Sequence, residues 1–281
     1  MREIINLKEI QNLEYEILKK FVKFCEKYNL KYCLCGGTLL GAIRHQGFIP
    51  WDDDIDIMMP RPDFNKFINL LKEKNINEEL KDLELASYEL DKNYIYPITK
   101  LYDKRTKIKF NDHIVNYPLG LWIDIFVLDG VPNGQISRKI KFKYQRVLTY
   151  LNVMSITKFG IKRKNRVLTY GQFLLYPIFI IARLIGHKIF VGLLEKNAKT
   201  YSFESSKYVA VYTGRGLEKE VMPKNEFMNL KKTKFENSEF CIPGNYDYYL
   251  TRLYGDYMEL PPENRRETRH DMKIYWRDEE R

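Results

Sequence analysis

The chain of 281 residues predicts an α/β (α+β) protein, a mixed-sheet core with helical additions. Three observations predict it. Helix-spaced and strand-spaced apolar stretches interleave through the first 130 residues. LWIDIFVLD at 121–129 reads as a clear strand. A hydrophobic content of 44% in a chain of this length is enough for one large core.

Residues 6–28 predict an amphipathic helix. Leu7, Ile10, Leu13, Ile17, Phe21, Phe24 and Tyr28 recur at helical spacing, and Asn6 with Glu9 resembles a capping box. YCLC at 32–35 reads as a short apolar strand closed by Gly36-Gly37, and TLLGAIRH as a short helix. The second half of IPWDDDIDIMM alternates like a strand. Pro62 suits the first turn of a helix continued by DFNKFINLLKEK. Further strands are predicted at 83–88, 95–102 and 121–129, and residues 196–281 are mixed and rich in Tyr. No internal repeat or low-complexity tract occurs. Three parts follow: a catalytic core over 1–130, a basic apolar segment over 131–195, and a C-terminal part over 196–281 that completes the site and is compact with the core.

The net charge of +10 is concentrated in the middle part. Residues 130–194 hold twelve Lys and Arg and no acid, leaving the remainder at −2. Within that segment VLTYGQFLLYPIFIIA at 167–182 carries no charge, yet spanning a bilayer takes about 20 apolar residues and Pro177 interrupts the run. Lys158, Lys162, Arg163, Lys164 and Arg166 lie upstream, and Arg183 and Lys188 follow. Such flanks suit an anionic membrane surface, each basic residue adding about 1 kcal/mol. The alternative is a buried core helix beside a solvated basic loop. Nucleic acid is not expected, because the cations surround an apolar run rather than a hydrophilic groove with stacking aromatics.

The cysteines, Cys25, Cys33, Cys35 and Cys241, form no CxxC pair and have no nearby His, which argues against zinc and for a reducing compartment. MREIINLKEI carries charges where a secretory signal needs an apolar stretch. A cytoplasmic protein peripherally attached to the inner face of the membrane is the expectation.

Asp52, Asp53, Asp54 and Asp56 fall within five residues. On a strand Asp52, Asp54 and Asp56 share one face, while Ile55, Ile57 and Met59 point into the core. Like charges so close need a compensating cation or a wet cleft; hard oxygen donors suit Mg²⁺ or Mn²⁺. The alternative is a solvated turn. Asp124 lies inside an apolar run and needs a partner: either it joins Asp54 and Asp56 to hold two metal ions, or it pairs with a nearby Lys or Arg. Gly36-Gly37-Thr38, between strand and helix, lets backbone approach a phosphate, and Thr38 can cap the helix or bind a phosphate oxygen. Arg44 and Lys100 are candidate phosphate ligands. His45 reads as fixing a loop or facing the cleft. Trp51, Tyr94 and Trp122 lie near this site in sequence, as core residues or as part of a cage for a quaternary ammonium.

The stretch CGGTLLGAIRHQGFIPWDDDIDIMMPRPDFNKF at 35–67 resembles the signature of the LicD family. PITKLYDKRT at 97–106, GLWIDIFVLDG at 120–130 and YGDYMELPPENRRETRH at 254–270 are also similar to it. The resemblance implies a nucleotidyltransferase-type core. It implies transfer of a phosphorylated small alcohol, foremost phosphocholine, from a CDP-linked donor to a sugar of a teichoic acid, capsule or lipopolysaccharide precursor built on a lipid carrier. The animal relatives fukutin and fukutin-related protein transfer ribitol phosphate. By this resemblance Asp54 and Asp56 are the D-x-D pair and Asp124 the third carboxylate, with Asp52 an additional acid; the C-terminal stretch contributes Tyr254, Asp256 or His270. Two Mg²⁺ (or Mn²⁺) ions would then grip the donor pyrophosphate and the attacking hydroxyl, with Asp124 as general base. A nucleotidyltransferase that adds NMP and releases pyrophosphate is the rival expectation.

Overall fold

The computed structural model describes residues 2–73, 80–160, 173–268 and 272–277. The first helix, α1 (Leu7–Lys27), follows a two-residue strand β1 (Glu3–Ile4). Asn6 caps α1 by accepting the Lys8 N–H at 2.8 Å, but the capping box does not close. The Glu9 carboxylate instead takes Arg2 and Trp276 at 2.7 and 3.3 Å.

A seven-stranded mixed sheet holds the core in the order β2 (Cys33–Leu34), β3 (Asp56–Pro60), β7 (Trp122–Val131), β5 (Thr99–Asp103), β4 (Leu83–Ala86). The far half of β7 also pairs with β8 (Tyr208–Val211), which pairs with β9 (Met222–Pro223). Only β3 and β7 run parallel; the other pairs in this sheet are antiparallel. The expected mixed sheet is therefore present, with shorter strands than the apolar runs suggested: 95–98 and 87–88 lie outside the ladder. Helix α2 (Gly36–His45) connects β2 towards β3, and α3 (Arg61–Lys72), with Pro62 in its first turn, follows β3. Ile55, Ile57, Ile123 and Ile125, each fully buried, join Leu18, Phe21 and Phe24 of α1 in the main core.

A smaller antiparallel sheet orders β1, β12 (Met272–Trp276) and β6 (Thr106–Phe110), and a hairpin of β10 (Lys231–Phe235) and β11 (Ser238–Ile242) packs near α2 and β2. The sequence had not suggested β6, β10 or β11 as strands; in β6 and β10 Lys-rich outer positions mask the alternation.

The basic segment contains α4 (Gln135–Ile156), α5 (Tyr176–Ile185) and α6 (His187–Ala198). Leu148, Ala182, Phe190 and Leu194 form their shared core. Only Phe179 and Ala182 of α5 are buried, so the described part of the apolar run is not a core helix. Among the described residues no single helix is long and apolar enough to cross a membrane; α5 and α6 meet these criteria only as a pair bent by 83°. Lys162, Arg163, Lys164 and Arg166, and residues 167–172 of the run, lie outside the described residues. The cysteines are free, and Cys33 and Cys35 lie in the core.

Candidate functional site

The register of the central strands assembles the site. Asp56 on β3 stands opposite Asp124 on β7, and Asp124 opposite Lys100 on β5. Residues opposed across a ladder share a face, so the three side chains form one row. Trp122 and Phe126, two positions either side of Asp124, lie on that same face, while Ile123 and Ile125 face the core. The hydrogen-bonded ladder of β3 begins only at Asp56, yet the alternation runs back through the acidic cluster. Asp52, Asp54 and Asp56 are part-exposed, whereas Asp53, Ile55 and Ile57 are buried. Bonds from Asp124 N–H to the Ile55 carbonyl and from Cys35 N–H to the Asp56 carbonyl hold this stretch extended.

The row opens into a cavity of about 1190 Å³. Gly36, Gly37, Arg44, Asp52, Asp54, Asp56, Lys100, Asp124 and Asp256 are all in its wall, so the structure brings most of the sequence-predicted site residues together. Thr38 and His45 are not in that wall, and His270 lies outside the described residues.

Three of the expected roles change, those of Thr38, Arg44 and Lys100, while His45 takes the loop-fixing one. Thr38 neither caps α2 nor faces the cavity: Cys35 is the cap residue, and the Thr38 hydroxyl accepts the Asp56 N–H at 2.7 Å, anchoring the acidic strand to the helix. Arg44 donates to the carbonyls of Tyr257 and Glu259 at 2.9 and 3.1 Å and to His45 Nε2 at 3.0 Å. It thus ties the C-terminal stretch across the cavity rather than presenting a free fork to phosphate. His45, whose pKa is lowered by burial and by Arg44, supports that clamp and meets Trp51 edge-on. Lys100 is not a free phosphate ligand: its Nζ donates to Asp124 Oδ1 at 2.5 Å, with both side chains about nine-tenths buried. The register forces this pairing, and a carboxylate so buried requires an ionic partner.

The glycines serve the acids. Gly36 has φ +53°, and a Cβ there would lie 2.7 Å from Asp56 Oδ2. At Gly37 a Cβ would lie 2.6 Å from Asp52 Oδ2. The start of α2 therefore packs against two of the carboxylates, which a side chain at either position would displace.

The charge balance favours a cation. Burial, then Asp54, Asp124 and Asp52, push the Asp56 carboxyl well above the usual carboxylate range, with Lys100 opposing. Oxygens of Asp52, Asp53 and Asp54 approach within 4.8 Å of one another. This triplet is not the Asp54–Asp56–Asp124 set expected from the sequence, although Asp54 belongs to both. Hard carboxylate oxygens at this density fit Mg²⁺ or Mn²⁺ better than soft metals.

Sequence reasoning missed Glu14. It lies on the buried face of α1, 1% exposed, and its Oε2 has no hydrogen-bond partner among the described residues. Burial, and then Asp54 and Asp53, raise its pKa strongly. An acid on the apolar stripe of an amphipathic helix was the available signal. The loop at 213–220 was also missed. Thr213, Arg215, Lys219 and Glu220 line the cavity, and no ion pair of Arg215 or Lys219 occurs among the described residues. Glu220 accepts the Gly216 N–H at 2.9 Å, and Arg252 donates to the Glu218 and Lys219 carbonyls, each at 2.9 Å. The loop is thus braced from both sides with its cations on the cavity side.

Of the three aromatics, Tyr94 is fully buried and bonded to the Ile98 carbonyl, a core role. Trp51 and Trp122 reach the cavity wall. Away from the cavity, the Arg61 guanidinium forks onto Asp129 at 2.7 and 2.6 Å and reaches Glu195 at 2.7 Å, joining α3, β7 and α6.

Known proteins resemble this chain over the region that holds the site. Residues 29–121 match the family model described as LicD/FKTN/FKRP, nucleotidyltransferase domain. That span holds Gly36, Gly37 and the acidic cluster. The lipopolysaccharide cholinephosphotransferase LicD of Haemophilus influenzae is 31% identical over 277 residues, covering 96% of this chain and 98% of the relative. An uncharacterized protein of Rickettsia typhi is 37% identical over 84 residues, 30% of this chain and 24% of the relative. With identity sustained over nearly its whole length and the signature residues gathered in one cavity, the chain belongs to the LicD family.

Proposed function

We propose that this protein transfers phosphocholine from a CDP-linked donor to a sugar hydroxyl of a lipopolysaccharide, teichoic acid or capsule precursor, with divalent metal. The observation that carries the reading is the row of Asp56, Asp124 and Lys100 in one cavity with Gly36 and Gly37, in a chain so similar to a lipopolysaccharide cholinephosphotransferase.

Asp54, Asp56 and Asp124, with Asp52 beside them, would hold Mg²⁺ or Mn²⁺. Such ions neutralise charge on a pyrophosphate and lower the pKa of a bound hydroxyl. The acceptor oxygen forms a bond to the phosphorus of the phosphocholine group as the bond to the bridging oxygen breaks, and CMP leaves with that electron pair. Lys100 holds Asp124 by Oδ1, so Oδ2 is the atom left to take the acceptor proton. The ammonium of Lys100 keeps the carboxylate oriented throughout. Arg215 and Lys219, on the braced loop, supply positive charge for the departing nucleotide phosphate.

The test is a donor panel of CDP-choline, CDP-ethanolamine, CDP-ribitol and CDP-glycerol, with CMP release as readout. CMP release from CDP-choline, dependent on divalent metal and abolished in folded Asp54→Asn and Asp56→Asn, is expected. Pyrophosphate release from CTP with no CMP release from any CDP donor would instead mark a nucleotidyltransferase.

We further propose a peripheral site of action on the inner face of the cell membrane. On α4, Ile136, Ile140, Tyr144, Val147 and Tyr150 are 47–75% exposed at spacings of three and four, a continuous helical stripe. Lys139, Lys143 and Arg146 flank it, and α5 adds Ile181 and Leu184 at 55% and 81% exposure. An apolar stripe with cationic flanks complements an anionic bilayer. Arg146 also lines the cavity, so the stripe adjoins its mouth and a lipid-linked acceptor would enter from the surface the protein rests on. Cosedimentation with phosphatidylglycerol-containing vesicles is expected, and to fall about tenfold in Ile140→Glu/Val147→Glu. Unchanged binding by that folded double variant would remove the docking face.

A further inference from the structure

One end of the cavity is lined by rings. Tyr96, Phe110 and Trp122 form a contiguous cluster, with centroid separations of 6.2 Å between Tyr96 and Phe110 and 6.1 Å between Phe110 and Trp122. His113 closes the side, 4.7 Å from the Phe110 ring. Tyr96 and Phe110 are part-exposed to the cavity, while Trp122 forms the back. The polar atoms of this alcove pair with one another: His113 Nε2 lies 3.1 Å from the Tyr96 hydroxyl and Nδ1 2.7 Å from Asp112 Oδ1. The Asp112 carboxylate stands at the mouth with half of its surface exposed.

An ammonium already uses these rings. Lys100 Nζ lies 3.9 Å from the Trp122 ring centroid and 5.7 Å from that of Tyr96. The same Nζ bonds Asp124, so the cluster adjoins the acidic row with only one ammonium between them. Because Asp124 matches the Lys100 charge, the open side of the alcove presents ring faces and Asp112.

We propose that this alcove of Tyr96, Phe110 and Trp122, with Asp112 at its mouth, is the subsite for the quaternary ammonium of the donor. The proposal rests on the phosphocholine reading and deepens it, because it names what selects choline. A quaternary ammonium has no N–H to donate, so it is recognised by aromatic faces and a nearby negative charge rather than by hydrogen-bond acceptors. A polyol needs the opposite, free hydrogen-bond partners, and here the tyrosine and histidine are occupied with each other. The geometry also fits the reaction. Choline's nitrogen and its phosphorus are separated by an ethylene and one oxygen, a shorter reach than a lysine side chain. An ammonium in the alcove therefore sets the phosphorus beside Asp124.

The full-length protein tests this with phosphocholine, tetramethylammonium and inorganic phosphate as probes, titrated by calorimetry. Phe110→Leu keeps apolar bulk and removes a ring face, and Asp112→Asn removes the charge of a half-exposed side chain while keeping an oxygen for His113 Nδ1. Wild-type protein is expected to bind phosphocholine in competition with tetramethylammonium. Each variant should weaken phosphocholine about tenfold and leave inorganic phosphate unaffected, with melting temperatures retained. In turnover the same variants should raise KM for CDP-choline more than for CDP-ethanolamine. Wild-type phosphocholine affinity in both folded variants, or no competition by tetramethylammonium, overturns the alcove. If CDP-choline is turned over while these variants keep its KM, the alcove alone falls. If a polyol donor is used and CDP-choline is not, the phosphocholine reading falls and takes the alcove with it.

Discussion

Replacing Glu220 by glutamine isolates one buried charge that braces a wall of the cavity. Glu220 is 7% exposed, and burial raises its carboxyl from an ordinary 4.5 to about 7, against the opposing pull of the Gly216 and Leu217 N–H groups. The unfolded chain loses this proton near pH 4.5 while the native protein keeps it until about pH 7. Between those values the native state binds more protons than the unfolded state, so stability falls as pH rises. At 1.36 kcal/mol per pH unit the whole window amounts to roughly 3 kcal/mol, present as lost stability above pH 7. Glutamine keeps a carbonyl oxygen for the Gly216 N–H, which Glu220 now accepts at 2.9 Å, and cannot titrate. Urea denaturation of both proteins at pH 5, 6, 7 and 8 reads the difference, in which all other titrating groups cancel. The wild-type curve should fall relative to the variant by about 2.5 kcal/mol from pH 5 to 8, the rest of the window lying below pH 5. Parallel curves would refute the reasoning and mean that the Gly216 and Leu217 N–H groups fully offset the effect of burial. The loop should respond as well: a changed KM for the donor with little change in kcat would mark the 213–220 loop as a binding element.

Gly36→Ala places a side chain at φ +53° and 2.7 Å from Asp56 Oδ2. It should cost about 1–2 kcal/mol of stability and on the order of a hundredfold in turnover, because a shift of Asp56 misplaces the row. Gly37→Ala meets only the carboxylate end of Asp52, not Asp56 of the row, so its loss should stay within about tenfold; equal losses in the two variants would show that the helix start is merely crowded. Arg61→Met leaves Asp129, 2% exposed, without its forked partner and should destabilise the fold by about 3–5 kcal/mol at pH 7 by urea denaturation. Burial raises Asp129 to about 6 even with Arg61 opposing, so the acid can be neutralised by a proton and the penalty should shrink at pH 5. An Arg61→Met penalty independent of pH would contradict that account.

The legible parts of this protein are the local ones. The alternation of Asp52, Asp54 and Asp56 against Asp53, Ile55 and Ile57 holds in the structure even where no ladder is formed, because pleating is a property of the extended chain itself. Helix α1 and its Asn6 cap, the turn at Gly36-Gly37 and the strand around Asp124 follow from spacing and residue type over a few positions. The roles of Arg44, Thr38 and Lys100 were not legible, since each depends on what stands opposite. Arg44 meets carbonyls more than two hundred residues away, and Lys100 meets Asp124 only because β5 and β7 are neighbours in that register.

From sequence alone come the acids, the glycines and the basic apolar character of the middle segment, because each is written in short-range pattern and composition. Tertiary structure alone decided that Glu14 would be buried behind the acids, that residues 213–220 would form a wall of the cavity, and that rings from three separate stretches would meet at its end. The physical reason is that strand order and register are selected by the burial of the whole core, and no local pattern records which distant side chains that choice brings face to face.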